Sequence, residues 1–278
     1  MVRSRQRTGG IMELGVILPT STPDPAHPIL GDVRASARLA EQVGLESVWS
    51  TDHLIASAPM LDSTVTLATA AAVTDRIGIG FNVMLLALRP VAWAAKQIAT
   101  LQYVSGNRLL LGVGTGNPAH GDIGWRAADM PFEQRGKRTD EALAVLPGLV
   151  SGAPTTLSDG LEITLTPGAQ VPPILVAGNG VRARRRAAAY AEGWIVLNPA
   201  REQIPADIAE LRELAEKYER PTPTVTVVAP TLPTDLTAAA GFLHDYAALG
   251  IERVILAPTG PDWQRDYHFA AKLRAALD

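Results

Sequence analysis

The chain has 278 residues, 47% hydrophobic and 19% charged, a globular composition with ample chain to bury a large core. Its net charge of −3 and lack of a basic stripe argue against a nucleic-acid partner, and no stretch approaches the ~20 apolar residues that cross a membrane. Cysteine is absent, which excludes disulfides, thiolate metal sites and a cysteine nucleophile and fits a reducing cytoplasm.

Residues 1–11 are polar and basic, without the apolar core of a signal peptide, and read as a loose tail ahead of one domain over residues 12–278. Leu14 to Pro19 is a short apolar run ended by proline and predicts the first strand. The loop after it, residues 20–28, is rich in proline and carries His27. Asp32 is placed to cap a helix whose apolar positions Val33, Ala37, Ala40 and Val43 recur at three and four, with Gly44 to end it. Ser47 to Ser50 is the second strand, and Thr51-Asp52-His53 stands at its C-terminal end. A helix from Asp62 or Ser63 to Asp75 leads to a third strand, Ile77 to Met84. Pro90 suits the first position of the next helix, which runs to Val104.

The fourth strand begins the most distinctive stretch, Arg108-Leu-Leu-Leu-Gly-Val-Gly-Thr-Gly-Asn117. Gly112, Gly114 and Gly116 strip side chains from one side of it, so another backbone or a flat ligand can come close. Two readings stay open: a barrel strand thinned for packing, or the rim of a ligand site with Thr115 and Asn117 at its polar end.

After that strand the rhythm breaks. Residues 117–134 have loop composition, a helix covers about Gln134 to Val150, and residues 151–170 read as a loop with one short hairpin. Alternation then resumes, with strands at Ile174–Ala177, Trp194–Leu197, Thr224–Ala229 and Arg253–Ala257. The helices between and after them cover Val181–Ala191, residues 201–219, the stretch from Asp235 to Gly250, and residues 263–277. Eight strands and eight helices in alternation predict a (β/α)8 TIM barrel with one insertion after strand four. A doubly wound sheet is the alternative, but it calls for a glycine-rich turn after the first strand, where this chain has Pro19-Thr20-Ser21-Thr22-Pro23.

In a TIM barrel the site lies at the C-terminal ends of the strands. Most candidates there are neutral: no glutamate pair supports glycosidase chemistry, and the five histidines lack metal-ligand spacing. His53 is the leading candidate for proton transfer near neutral pH, against the plainer reading of a rim histidine bonded to backbone. His120 and Trp125, in the insertion, are expected to line a substrate pocket. Asn179-Gly180-Val181-Arg182 joins strand five to a helix N-terminus, a ready anion site, with Arg182 or Arg184 in reach; a tight turn that needs glycine explains it equally well.

Several segments in order resemble the bacterial luciferase-like flavin enzymes, in particular the branch that uses the deazaflavin coenzyme F420. They are Glu41-Gln-Val-Gly-Leu-Glu-Ser-Val-Trp49 running into Thr51-Asp52-His53; Arg76-Ile-Gly-Ile-Gly-Phe-Asn-Val83; Arg89-Pro90 with Lys96-Gln-Ile-Ala-Thr-Leu101; Ser105-Gly-Asn-Arg108 into Gly112-Val-Gly-Thr-Gly116; Pro172-Pro-Ile-Leu-Val-Ala-Gly178; and Ala191-Glu-Gly-Trp194. The likeness covers nearly all of Met12 to Ala275. It implies a flat tricyclic cofactor across the barrel mouth, a bulge on the third strand with a non-proline cis peptide between Asn82 and Val83, and a histidine at position 53 beside the reacting ring carbon. The cofactor-binding set it implies is Asp52, Asn82, Val83, Thr115, Gly116, Asn117, Ala177, Gly178, Asn179, Gly180 and Arg182. In the sugar-phosphate dehydrogenases of this family a glutamate stands where this chain has Asn117, which cannot move a proton, so that substrate is not carried over. His53, His120 or Asp122 must then supply any acid or base.

The resemblance thus implies hydride transfer between F420 and a small organic substrate, in a homodimer. FMN is the alternative cofactor, for a monooxygenase fed by a separate flavin reductase. A flavin-free barrel acting as a partner subunit is the third reading. A retained cis peptide and an open, glycine-lined mouth argue against that third reading; a pocket filled by the chain's own side chains argues for it.

Overall fold

The computed structural model describes residues 12–21 and 31–277. The tail expected at 1–11 and the stretch 22–30 with His27 lie outside the described residues. The barrel half before the insertion comprises β1 (Glu13–Ile17), α1 (Val33–Gln42), β2 (Ser47–Ser50), α2 (Ser63–Ala72), β3 (Gly78–Leu85), α3 (Val91–Ser105) and β4 (Leu109–Gly114). The insertion holds α4 (Ile123–Ala127), α5 (Arg135–Ser151) and a two-stranded hairpin of β5 (Thr155–Thr156) and β6 (Glu162–Ile163). The second half comprises β7 (Ile174–Ala177), α6 (Val181–Tyr190), β8 (Gly193–Leu197), α7 (Ile204–Lys217), β9 (Thr224–Val228), α8 (Leu236–Ala248), β10 (Arg253–Leu256) and α9 (Trp263–Leu277).

The eight long strands close in the order β1-β10-β9-β8-β7-β4-β3-β2, every pair parallel. This is the (β/α)8 TIM barrel that the alternation predicts. Short polar side chains start the helices where expected: Asp32 accepts from the Arg34 and Ala35 amides, Asp62 from Val65, and Asp235 from Ala238.

Successive strand residues point to opposite sides of the barrel wall, and the core divides accordingly. Ile174, Val176, Trp194, Val196, Val225, Val227 and Val254 pack outward beneath the helices. Their neighbours Leu175, Ala177, Ile195, Val228 and Ile255 form a separate inner cluster with Trp49. The N-terminal end of the barrel is closed by Arg253, which pairs with Glu46 at 3.0 Å and with Glu13.

The insertion is more structured than its composition predicts. Residues 117–134, expected as loop, hold α4 between two single 3-10 turns, at Pro118–His120 and Phe132–Gln134. A five-residue helix is too short to show periodicity in sequence. It forms because Trp125, 5% exposed, packs into a satellite cluster with Leu85, Ala87 and Leu88 beyond the end of β3.

Candidate active site

β2 runs out at Ser50, and the chain continues through Thr51 and Asp52 to His53 at the C-terminal face of the barrel. Asp52 is 3% exposed, and its carboxylate gathers three neighbours. One oxygen accepts from Ser63 Oγ at the start of α2 (2.9 Å), the other from the Leu85 amide at the end of β3 (2.9 Å). The Arg89 guanidinium reaches both, at 2.9 and 2.7 Å. Asp52, expected to contact the cofactor, therefore spends both oxygens on the protein itself and acts as a fastener that aims the His53 loop.

His53 is partly buried and meets His120 edge-on, with ring centroids 4.8 Å apart and planes inclined at 67°. Burial lowers the His53 pKa from its ordinary value of 6.5, the neighbouring His120 lowers it further, and the Asp52 charge opposes both. His53 is thus held neutral at pH 7, able to accept a proton.

His120 reaches this place through a local device. Asn117 caps the 3-10 turn, its side chain accepting from the Ala119 amide at 3.0 Å, while its carbonyl accepts from the His120 amide at 3.1 Å. Both histidines border a cleft of about 10 Å³, close to the room of one water, which is lined also by Leu85, Gly116, Asn117 and Trp125. Gly116 takes a positive φ of 83°, with Trp125 close against it. Asp122, the other acid considered, is exposed and does not line the cleft.

The peptide between Asn82 and Val83 is cis, and the β3–β4 register slips between Phe81 and Met84, so the expected bulge is present. It also accounts for two of the glycines on β4. A Cβ on Gly112 would lie 2.1 Å from the Phe81 carbonyl oxygen, and one on Gly114 would lie 2.3 Å from Val83 Cγ2. These two glycines are cut away to seat the bulge. Gly116 and Asn117 alone of the stretch's polar end border the cleft, and Thr115 lies just beneath them, partly exposed. Asn82 is 8% exposed, and its Oδ1 has no hydrogen-bond partner among the described residues. It is one of seven buried side-chain polar atoms without a partner among the described residues, and the one that lies in the bulge, where a water or a bound ligand can donate to it.

Ala177 ends β7 inside the barrel, and Gly178-Asn179-Gly180 turns the chain into α6. The Gly178 carbonyl accepts from the Trp194 indole at 2.8 Å. The Asn179 carboxamide is spent on both backbone groups of Leu197, at 2.7 and 2.9 Å. Arg184 is buried between Asp207 (2.9 Å) and Glu210 (2.5 Å) and donates to the Asn179 carbonyl, so it is not free for an anion. Arg182, expected at an anionic ligand, lines a groove with Arg185, Arg186, Asp140 and Tyr190 that follows the outer wall. What remains for an anion is the main chain at the α6 N-terminus, which has no side-chain cap, beside Gly180, around which the space is open.

A second and larger cavity, about 570 Å³, opens at the ends of β9 and β10 and is lined by Val16, Ala229, Leu232, Leu256, Tyr267 and Phe269 among others. Sequence does not single it out, because its walls are mostly ordinary apolar and proline residues. Its charged members, Arg265 and Asp266, pair with each other, and Asp266 also holds the Thr259 amide. The two imidazoles, His53 and His120, border the smaller cleft instead.

Among relatives of known sequence, an uncharacterized protein of Mycobacterium tuberculosis is 35% identical over 170 residues, 59% of this chain and 58% of that protein. The F420-dependent hydroxymycolic acid dehydrogenase of the same organism is 32% identical over 206 residues, 64% of this chain and 55% of that protein. The chain thus spans little more than half the length of these relatives. Among solved structures, an F420-dependent secondary alcohol dehydrogenase in complex with an F420–acetone adduct superposes with a TM-score of 0.82 at 17% identity, over 96% of this chain and 99% of that one, a likeness of fold. Residues 12–241, from the first strand into α8, match the model of the luciferase-like monooxygenases, and the chain belongs to that family.

Proposed function

We propose that the chain is an oxidoreductase that moves a hydride between coenzyme F420 and a small organic substrate at the C-terminal mouth of the barrel. The observation that carries this reading is the buried, unpaired Asn82 Oδ1 in the cis bulge, a built acceptor that the chain leaves open. It suits a ring N–H of the deazaflavin, and the uncapped amides at the start of α6 suit the cofactor's phosphate. The F420-dependent relative at 32% identity supports the same cofactor. When bound, the deazaflavin supplies the two-electron step. The protein's part is to hold a neutral imidazole, His53, where a proton must come or go, and to aim it through Asp52. The cleft beside His53 is too small for a ring system and accommodates a single polar group or a water.

The family's monooxygenases favour a second reading, in which FMN replaces F420 and a separate reductase supplies the reduced flavin. The retained bulge counts against the flavin-free barrel, while the narrowness of the cleft counts for it. We read the protein as a cytoplasmic homodimer.

Titration of the purified protein with F420 and, separately, with FMN separates these readings. Micromolar binding of F420 alone is expected. Binding of FMN alone overturns the cofactor assignment, and binding of neither makes the flavin-free barrel the leading reading. His53→Ala is expected to slow turnover by about 10²-fold or more while leaving F420 affinity within a few-fold. Equal losses in both would refute the role given to His53.

A further inference from the structure

We propose that His120 is the relay through which His53 exchanges its proton with solvent. The inference rests on the hydride-transfer reading and gives His120, so far a pocket-lining residue and one of three possible acids or bases, a specific part in it.

Three observations carry it. First, the rings of His53 and His120 meet edge-on, with centroids 4.8 Å apart, and both border one cleft with about the room of a single water. Second, the remaining lining of that space is uncharged: Leu54, Ile55, Leu85, Leu88, Gly116, Asn117, Gly121, Gly124 and Trp125. Asp52 is the charged neighbour on the His53 side, and Arg89 neutralises it. Within the cleft, then, only His120 can take a proton from His53 or return one. Third, Asn117 is committed to capping the turn that presents His120. The residue that cannot carry a proton instead positions one that can.

The step balances for a substrate oxidised at a carbinol carbon. A bound oxidised deazaflavin would take up the hydride that leaves with the C–H electron pair. The O–H bond breaks as its proton passes to neutral His53, and a carbonyl forms. His53 returns to neutrality by passing the proton, over a water in the cleft that both rings border, to His120, which is partly exposed and releases it to solvent. Reduction runs the same path backward.

The first test needs no cofactor. In ¹⁵N-histidine-labelled protein, NMR titration is expected to show His53 ionising below its ordinary range, held down by burial and by the neighbouring His120. In His120→Ala the His53 titration should move upward. An unchanged His53 titration overturns the proposal whatever the cofactor. The second test is kinetic, at saturating F420. His120→Ala and His120→Gln should each lower kcat by about 10-fold or more, flatten the limb of the pH profile that belongs to the pair, and leave the F420 Kd within about two-fold. Added imidazole should restore part of the rate in His120→Ala and none in His53→Ala. A wild-type rate and pH profile in both His120 variants overturns the proposal, as does a loss of F420 affinity that matches the loss of rate. Failure of the wild type to bind F420 overturns the hydride reading itself and is seen before any variant is made.

Discussion

Asp52 and Arg89 show what one buried pair does at this site. The carboxylate is 3% exposed and the guanidinium side chain 18%, and together they tie the ends of β2 and β3 and the start of α2. Asp52→Ala leaves Arg89 without its counter-charge in a poorly solvated place. The expected cost is about 3 kcal/mol, seen as a lower urea midpoint at unchanged m. Removing the stranded charge as well, in Asp52→Ala/Arg89→Met, should recover part of that loss. A double variant whose loss equals the sum of the two singles shows that the pair is not coupled. At this scale the sequence was legible in part. His53 stood out because it follows a strand end. That Asp52 ties β2, β3 and α2 together was not legible, since Arg89 lies 37 positions away and only the closed barrel brings it in. The same holds for Asn179 and Arg184, whose types suggested ligand contact but whose hydrogen bonds are spent on Leu197 and on Asp207 and Glu210. A donor's type can be read from sequence, but its partner cannot.

At the scale of elements, β3 and β4 were fixed as one unit. The glycines of β4 were ambiguous in sequence because a ligand and a neighbouring backbone ask for the same thing, an absent Cβ. The bulge resolves it: the Phe81 carbonyl and Val83 occupy the space over Gly112 and Gly114. Gly112→Ala is therefore expected to cost about 1–3 kcal/mol, because the atom in its way is backbone. Gly180→Ala, whose Cβ meets nothing within 4 Å, should cost under about 1 kcal/mol. Equal losses in chemical denaturation would refute the distinction. A second junction depends on pH. Glu41, at the end of α1, accepts the amides of Asp75, Arg76 and Ile77 at 3.0, 2.6 and 3.0 Å and so holds the turn into β3. Burial works to raise its pKa, but the three N–H donors outweigh that and hold it below the ordinary value of 4.5. The sign follows: Glu41 adds stability above 4.5 and loses it as pH falls through the lowered folded value. Glu41→Ala should cost about 1–3 kcal/mol at pH 7, with the gap to wild type narrowing as the protein is taken below pH 4.5. A gap that is constant with pH would sink the carboxylate's part in it.

Over the whole molecule, strict alternation of strand and helix made the barrel legible, because parallel neighbours and right-handed crossovers leave few ways to arrange it. The insertion was legible as a break in rhythm but not as structure, since α4 is held by contacts of Trp125 rather than by its own periodicity. Assembly is a property that sequence leaves to resemblance, and exposed apolar side chains on α2 and α3 offer a surface on which the proposed dimer can be tested. Trp93 is 67% exposed on α3, Val104 stands eleven positions on, close to three full helical turns, and Val65 is 66% exposed on α2, which packs beside α3. Tyr103 extends the same end of α3 at 65% exposure. Large apolar side chains gathered on adjacent helices lose little by meeting water singly, but as a patch they favour burial against a like surface. In a twofold dimer each such residue faces its own surroundings from the partner, so one charge is introduced twice. Trp93→Arg should therefore turn a species of twice the chain mass into one of single mass in light scattering, while the thermal transition of the isolated barrel survives. A wild type that already runs at single mass, or a variant that keeps the doubled mass, would remove α3 from the interface.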